Sequence, residues 1–222
     1  MTRLFLAAAL LAAVPTFVHA QTAPMGYIEG AIGISLISDV ETEDYIIDVP
    51  GFGTFAGHAE ADYNTEFTGG AEIGLTTGRW GFGASWDFTS AQLDEDRVRG
   101  TLDGSPFNEE ITDDQLAEDF GISLDNNVHV VAGNVSFNFG PPDAGFRPYI
   151  GAGLGAAVFE KASTEFAVTA TLGARFTLGP RSYVGGRYRL THIGGPQDDA
   201  GVEFDPLTYH TFSLLLGLYF GG

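Results

Sequence analysis

The chain has 222 residues, of which 29 are acidic and 10 basic, and it contains no cysteine. This surplus of carboxylates argues against a nucleic-acid partner, because a phosphate backbone attracts Lys and Arg and repels acids. The lack of cysteine excludes disulfides, thiol catalysis and cysteine-ligated metal sites.

The first twenty residues have the parts of a secretory signal peptide. Arg3 supplies a positive start, residues 4–14 form an apolar run, and Val18-His19-Ala20 is a small-residue cleavage signal. The apolar run is too short to cross a bilayer as a helix, and no later run is long enough either. We therefore expect residues 1–20 to be a cleaved export signal and residues 21–222 to form one domain.

Eight later segments alternate between apolar residues and small or polar residues with a period of two. They are residues 26–37, 67–75, 80–90, 128–139, 148–159, 166–178, 183–193 and 209–220. Such alternation is typical of strands with one face toward lipid and the other toward a lumen. The charged residues inside these segments all fall on the face opposite the large apolar residues.

A soluble β-sandwich would alternate in the same way. The export signal and the lengths of the connections favour a membrane barrel instead. Short connections at residues 76–79, 140–143 and 179–182 alternate with mostly long polar ones, as periplasmic turns and extracellular loops do; the loop near 161–165 is a short exception. Aromatic residues also collect near both strand ends. The predicted fold is an all-β, eight-stranded antiparallel up-and-down transmembrane β-barrel.

Three segments resemble the OmpA-like and opacity-type family of small outer-membrane barrels. Residues 147–155 (RPYIGAGLG) resemble one of its strands, and residues 185–189 (GGRYR) resemble its penultimate strand. The last strand, with Phe220 before two glycines, resembles the signal read by the barrel-assembly machinery. The resemblance covers about residues 25–220. It implies a bacterial outer-membrane location among lipid and lipopolysaccharide and no cofactor. Many OmpA-like proteins append a peptidoglycan-binding domain, but this sequence ends with the barrel, so we expect no such domain here.

Six charged residues share the non-apolar faces of the predicted strands. They are Glu29, Glu72, Asp87, Arg175, Arg187 and Arg189. Four lie about 10–13 Å from the periplasmic ends by the rise per strand residue, and Asp87 and Arg189 lie somewhat higher. An eight-stranded barrel is only wide enough inside for side chains, and an unpaired buried charge is unfavourable. We therefore predict a cross-lumen network that closes the pore. The alternative is a narrow channel lined by hydrated charges.

The two longest outer loops carry most of the acidic residues. Loop one, residues 38–66, has eight acids and no Lys or Arg, and loop two, residues 91–126, is also strongly acidic. Carboxylates suit hard divalent cations, although neither loop has the spacing of a calcium loop. Solvated acidic loops are the favoured interpretation, and weak divalent cation binding is the alternative.

Both loops also carry local structural signals. Apolar residues around Pro50-Gly51 predict that loop one extends its hairpin to an apolar tip, which is our candidate partner surface. In loop two a capping box at residues 112–115 predicts a short helix that ends near Gly121. Its apolar face would pack over the rim or contact a partner.

The sequence favours a non-enzymatic outer-membrane barrel with an envelope or surface-interaction role. A narrow channel for small solutes or ions is the runner-up. A third hypothesis is an enzyme that modifies lipid A, with Ser90 and His129 as a nucleophile and base near the outer rim. No orienting acid is evident beside this pair, so we predict no catalytic residue. Because neither acidic loop has the spacing of a calcium loop, we also predict no metal ligand set.

Overall fold

The computed structural model describes residues 24–38, 40–41, 45–49, 53–63, 65–91, 93–112, 126–141, 144–160, 163–195 and 205–221. The signal peptide lies outside these ranges, as does the helix predicted in loop two apart from Thr112, which ends a strand. The described strands are β1 (Met25–Ile37), β2 (Val40–Glu41), β3 (Tyr45–Val49), β4 (Gly53–Tyr63), β5 (Thr65–Thr77), β6 (Trp80–Ala91), β7 (Leu93–Leu102), β8 (Ser105–Thr112), β9 (Asn126–Asn138), β10 (Phe146–Phe159), β11 (Glu165–Gly179), β12 (Ser182–Ile193) and β13 (Leu207–Phe220). Among these residues, no helix has the length and apolar character needed to span a membrane.

Eight of these strands close into an antiparallel barrel in the order β1, β13, β12, β11, β10, β9, β6, β5. The first strand closes the wall by pairing with the last, where Gly26 lies opposite Phe220, and also with β5, where Ile28 lies opposite Ile73. The eight predicted segments coincide with these strands to within two residues at each end. The predicted fold is confirmed.

The barrel wall is apolar outside and polar inside. On β13, Leu214 and Leu216 are 70% and 62% exposed, whereas the neighbouring Ser213 is buried. On β1, Ile32 is 61% exposed and Glu29 only 1%. Exposed apolar walls around buried charges reverse the usual arrangement of a soluble protein and match a strand between lipid and a lumen. This distribution excludes the soluble sandwich.

The remaining five strands form a second sheet, which we call the outer sheet. Its order is β2, β4, β7, β8, and β3 also pairs with β4. Because β4 leads into β5 and β7 follows β6, the outer sheet extends two barrel strands past the rim. The hairpin extension expected for loop one is confirmed, whereas its expected apolar tip at Pro50-Gly51 lies outside the described residues. The hairpin of β7 and β8 in loop two was not predicted.

The turn between β7 and β8 explains how that hairpin forms. Asp103 and Gly104 have φ angles of 50° and 77°. Positive φ at both central residues is what a two-residue hairpin turn of type I′ requires, and Asp-Gly is a favoured sequence for it. The carboxylate of Asp103 also accepts a hydrogen bond of 2.9 Å from the backbone N–H of Thr54. The turn is thereby joined to the start of β4.

Candidate functional site in the barrel lumen

The periplasmic part of the lumen is centred on Arg175. Its Nε donates a hydrogen bond of 3.0 Å to Oε2 of Glu29, and the hydroxyl of Tyr183 donates to the same oxygen at 2.8 Å. The guanidinium also lies over the rings of Tyr149, Tyr183 and Tyr27, at 4.1, 5.4 and 5.7 Å from their centroids. Arg175 therefore has one ionic partner and a cage of three aromatic rings.

Two further arginines from β12 form the middle of the lumen. Arg187 places Nη2 3.0 Å from Oδ1 of Asp87, and its Nη1 lies 3.8 Å from Glu29 and 3.9 Å from Glu72. Arg189 pairs with Asp87 and lies 3.5 Å from Glu72. Each of the three carboxylates thus has a guanidinium within 4.0 Å. The structure brings all six residues singled out by the sequence into one group, which we call the lumen network.

Polar side chains add hydrogen bonds to the lumen network. The hydroxyl of Tyr27 donates to Glu72 at 2.5 Å, and Asn134 donates to the same carboxylate at 3.3 Å. Glu29, Arg187 and Arg189 are 1%, 6% and 4% exposed. Charges buried to this extent need both ionic partners and hydrogen bonds. With three acids and three arginines the network is formally neutral.

Arg147 is a lumen residue that the sequence interpretation missed. It is 3% exposed, and its Nη2 donates to the hydroxyl of Tyr219 at 2.6 Å and to Asn138 at 3.5 Å. The predicted strand began at residue 148, one position too late to include it. Arg147 lies two residues before Tyr149, and alternate residues of a strand share a face. This spacing could have identified Arg147 as a lumen residue.

Above the lumen network lies a layer of hydroxyl groups. Oγ of Ser35 is 3.0 Å from Oγ1 of Thr211 and 3.4 Å from Oγ1 of Thr89, and Thr89 is 3.2 Å from Thr68. These four residues come from β13, β1, β5 and β6, which are neighbours in the wall. The hydroxyl layer therefore links side chains across half of the barrel.

The extracellular end of the lumen is filled by apolar side chains, which we call the apolar layer. Its members come from the outer ends of six of the barrel strands. They are Ile37, Val128, Val130, Ala132, Ala157, Phe159, Ala167, Ile193, Leu207 and Tyr209. This apolar layer was not predicted, although inward positions on β9 and β13 do become apolar near the rim.

Two small cavities adjoin the lumen network. A cavity of ≈ 10 Å³ beside Tyr27 and Arg147, and another of ≈ 20 Å³ beside Glu72 and Arg187, lie in the lumen. Spaces of this size hold about one water molecule each.

The other residues singled out by the sequence lie on the wall. Phe220 ends β13 and is 47% exposed. A side chain at Gly26 on the paired strand would collide with its ring, so the glycine makes room for this aromatic. The role of Phe220 in assembly stays a prediction.

Ser90 and His129 form hydrogen bonds to other residues. Oγ of Ser90 donates to Glu66 at 2.7 Å, and Nδ1 of His129 accepts from the indole of Trp86 at 3.3 Å. Neither bond joins the serine to the histidine, so these contacts do not make the nucleophile and base pair that acyl chemistry needs.

Cation binding by the loops stays a prediction. Within the part of the chain that the structure describes, no three His, Asp or Glu side chains are grouped closely enough to hold a metal ion. Many of the loop acids, including Asp113, Asp114, Glu118 and Asp119, fall outside that part.

Comparisons with known proteins agree with this geometry. The model of the outer membrane protein beta-barrel domain family matches residues 4–220. The solved structure of Neisserial surface protein A is 12% identical with a TM-score of 0.50, and the match covers 91% of this chain and 100% of that one. At this identity the likeness concerns the fold alone.

Two other solved structures are also similar, with TM-scores too low to support further argument. The N-terminal barrel of Pseudomonas aeruginosa OprF is 11% identical with a TM-score of 0.36, over 88% of this chain and 97% of that one. Ail of Yersinia pestis is 14% identical with a TM-score of 0.36, over 88% and 99%. No curated protein matches the sequence. On the family match and the closed eight-stranded wall, this chain belongs to the outer membrane protein beta-barrel domain family.

Proposed function

We propose that this protein is a non-enzymatic barrel of the bacterial outer membrane that anchors an acidic extracellular surface and has a closed lumen. The observation that carries the proposal is the lumen network, in which three arginines and three acids pair across the bore. In the proposed setting the exposed apolar wall contacts lipid and lipopolysaccharide. Phe220 is read by the barrel-assembly machinery during insertion.

The lumen network and the apolar layer are two closures in series, and they favour a closed lumen rather than a narrow channel. An ion would have to displace guanidinium groups from buried carboxylates, which leaves charges unpaired at a cost of several kcal/mol. It would then meet the apolar layer, which offers no polar ligand in place of its hydration shell. A channel needs sites that ions enter and leave readily. Neither closure offers one.

The distribution of charge supports a role for the extracellular side. The segments 38–66, 91–126, 160–165 and 194–206 contain 25 of the 29 acidic residues but three of the 10 basic ones. A surface with this imbalance attracts cations and cationic proteins and repels anionic ones. We assign the surface-interaction role to loops one and two, which contain the outer sheet.

Conductance in planar bilayers tests the closed lumen. We expect purified wild-type protein to show no steady conductance. Arg187→Ala should add at most small, brief openings, because the apolar layer remains. Arg181→Ala, at an exposed periplasmic turn, is the matched control and should behave as wild type. A large steady wild-type conductance that Arg187→Ala leaves unchanged would favour the channel.

Mass spectra of lipid A with and without the protein test the enzymatic alternative, and a new lipid A species would contradict the proposal.

A further inference from the structure

The lipid-facing surface of β13 changes from apolar to polar near the outer rim. Its outward residues from Phe220 up to Phe212 are all apolar, and His210 is the next outward residue. The ten residues between Phe220 and His210 span about 33 Å along the strand, or about 25 Å across the membrane for a strand tilted by about 40°. The apolar band of an outer-membrane barrel is about 25 Å tall. His210 therefore lies at the depth where the lipid headgroups begin.

Four polar side chains form a patch on the outward faces of β12 and β13. Strand pairing places His192 opposite Thr208, and it places Leu190, the next outward residue of β12, opposite His210. The two histidines are thus diagonal neighbours on one face, with backbones about 7–8 Å apart. Nδ1 of His192 lies 2.9 Å from Oγ1 of Thr208, and Nδ1 of His210 lies 2.7 Å from the hydroxyl of Tyr188. We call His192, Thr208, His210 and Tyr188 the rim patch.

Each imidazole of the rim patch keeps one ring nitrogen for a partner outside the chain. Nδ1 of each ring has a neighbour in the patch, whereas Nε2 of neither ring forms a hydrogen bond within the described part of the chain. The residues that flank the patch are apolar, because Val168 on β11 pairs with His192, and Leu36 on β1 pairs with His210. Their side chains offer no hydrogen bond to the imidazoles. Both Nε2 atoms are therefore available to one ligand at the headgroup level.

The rim patch supplies a capacity for positive charge that the lipid-facing wall otherwise has little of. The basic residues of the described barrel strands are Arg147, Arg175, Arg187 and Arg189, and all four are buried in the lumen. No Lys or Arg of these strands therefore faces lipid. Histidine is the side chain that gains a positive charge near neutral pH, and its protonated ring has two N–H donors. Among these strands, the outward histidines are the residues suited to hold an anionic headgroup.

The third outward histidine of these strands, His129 on β9, lies in a different setting. Its Nδ1 accepts a hydrogen bond from Trp86, and no second imidazole is beside it on the paired strands. On β10, Glu160 follows at the outward position above the residue paired with His129, and its carboxylate accepts a hydrogen bond of 3.0 Å from Asn127. A carboxylate at this position disfavours a second anion. Because β9 is four strands from β13 around the wall, His129 is a matched control on the opposite side of the barrel.

We propose that the rim patch binds a phosphate group of lipid A in the outer leaflet of the outer membrane. A phosphate group has three strong acceptor oxygens and so can accept hydrogen bonds from both imidazoles at once. Directly below the patch, Phe212 and Leu214 are exposed and apolar, which gives the acyl chains of the same molecule a surface to lie on. A lipid therefore matches the patch and the wall beneath it, whereas free phosphate would use the patch alone. This inference rests on the outer-membrane placement in the proposed function and does not depend on a closed lumen.

Native mass spectrometry of the refolded full-length protein in a non-ionic detergent tests the site by counting the lipid molecules that each barrel retains. The variants are His192→Leu and His210→Leu, singly and together, and His129→Leu is the matched control. The heat-dependent gel shift of each variant shows that its barrel is closed before the measurement. The probes are lipid A with both phosphates, the same lipid A after removal of its phosphates, and inorganic phosphate alone.

We expect wild type and His129→Leu to retain at least about fivefold more phosphorylated lipid A than the double variant, because charge-assisted hydrogen bonds are lost. Each single variant should fall between them, and lipid A without phosphates should be retained equally by all. Inorganic phosphate at millimolar concentration should not displace the lipid.

Equal retention of phosphorylated lipid A by wild type and the double variant would overturn the proposal. So would an equal loss in His129→Leu, which indicates a general effect of rim histidines, or displacement by inorganic phosphate, which indicates a site for the free anion. A protein dimer that the double variant loses would identify a second copy as the occupant instead. Conductance and the mass of the retained lipid A are read separately, so failure of this inference is distinct from failure of the proposed function.

Discussion

Nε of Arg175 on β11 lies 3.0 Å from Oε2 of Glu29 on β1, across the barrel lumen. The two side chains are 8% and 1% exposed, and the residues are 146 positions apart in the chain. The pair joins opposite walls of the barrel. Glu29 also lies 3.8 Å from Arg187, so one carboxylate forms ion pairs with two guanidinium groups.

Removal of this carboxylate should destabilise the barrel strongly. Glu29→Ala leaves Arg175 and Arg187 short of a buried partner, and breaking a buried pair from one side costs about 3–5 kcal/mol. Urea unfolding of the refolded protein in lipid vesicles measures the change in the free energy of unfolding. Asp205→Asn, at an exposed loop position, should stay within about 0.5 kcal/mol of wild type. Equal stability of the two variants would show that Glu29 is not a centre of the network.

Two tyrosines of the Arg175 cage should respond differently to loss of the hydroxyl. Tyr183 donates to Glu29 at 2.8 Å, whereas the Tyr149 hydroxyl has no hydrogen-bond partner among the residues described. Tyr183→Phe should cost about 1.5–3 kcal/mol, as expected for a hydrogen bond to a charged group. Tyr149→Phe keeps the ring over Arg175 and should cost less than about 0.5 kcal/mol. The same unfolding experiment compares them, and the reverse order would contradict the assigned bonds.

Folded protein should migrate differently on a gel before and after boiling. A closed barrel has no free strand edge, so its hydrogen-bond ladder resists detergent until it is heated. Unboiled and boiled samples on one gel show the shift, and far-ultraviolet circular dichroism verifies that the unboiled sample is folded. Identical migration of verified folded protein would count against the pairing of β1 with β13.

Phe220→Ser should lower the amount of barrel in the outer membrane without any effect on an activity. The change removes the last aromatic of β13, in the strand that resembles the assembly signal. Phe176→Ser is the matched control, because Phe176 lies on a different strand and is exposed to a similar extent. Phe176 is 50% exposed and Phe220 is 47% exposed. Quantitative surface labelling compares the two variants with wild type. Normal levels of Phe220→Ser would place the signal elsewhere.

The sequence by itself determined the barrel wall and the members of the lumen network. Both follow from alternation along single strands, which is a local property. A charge such as Glu29 or Arg187 between two lipid-facing residues has to face the lumen, whichever strand is its neighbour. Because the bore is narrow, side chains of opposite charge at a similar depth must lie close to each other.

Only the tertiary structure decided which groups pair and what lies above them. That Arg175 pairs with Glu29 while Arg187 bridges three acids depends on the stagger between strands, which a single strand does not reveal. The apolar layer appears only when the outer ends of six of the barrel strands meet at one depth. The outer sheet likewise depends on β7 pairing with β4, and residues such as Phe55 and Leu102 are 47 positions apart in the sequence. Contacts of this kind are set by closure of the barrel, because closure brings distant segments into register.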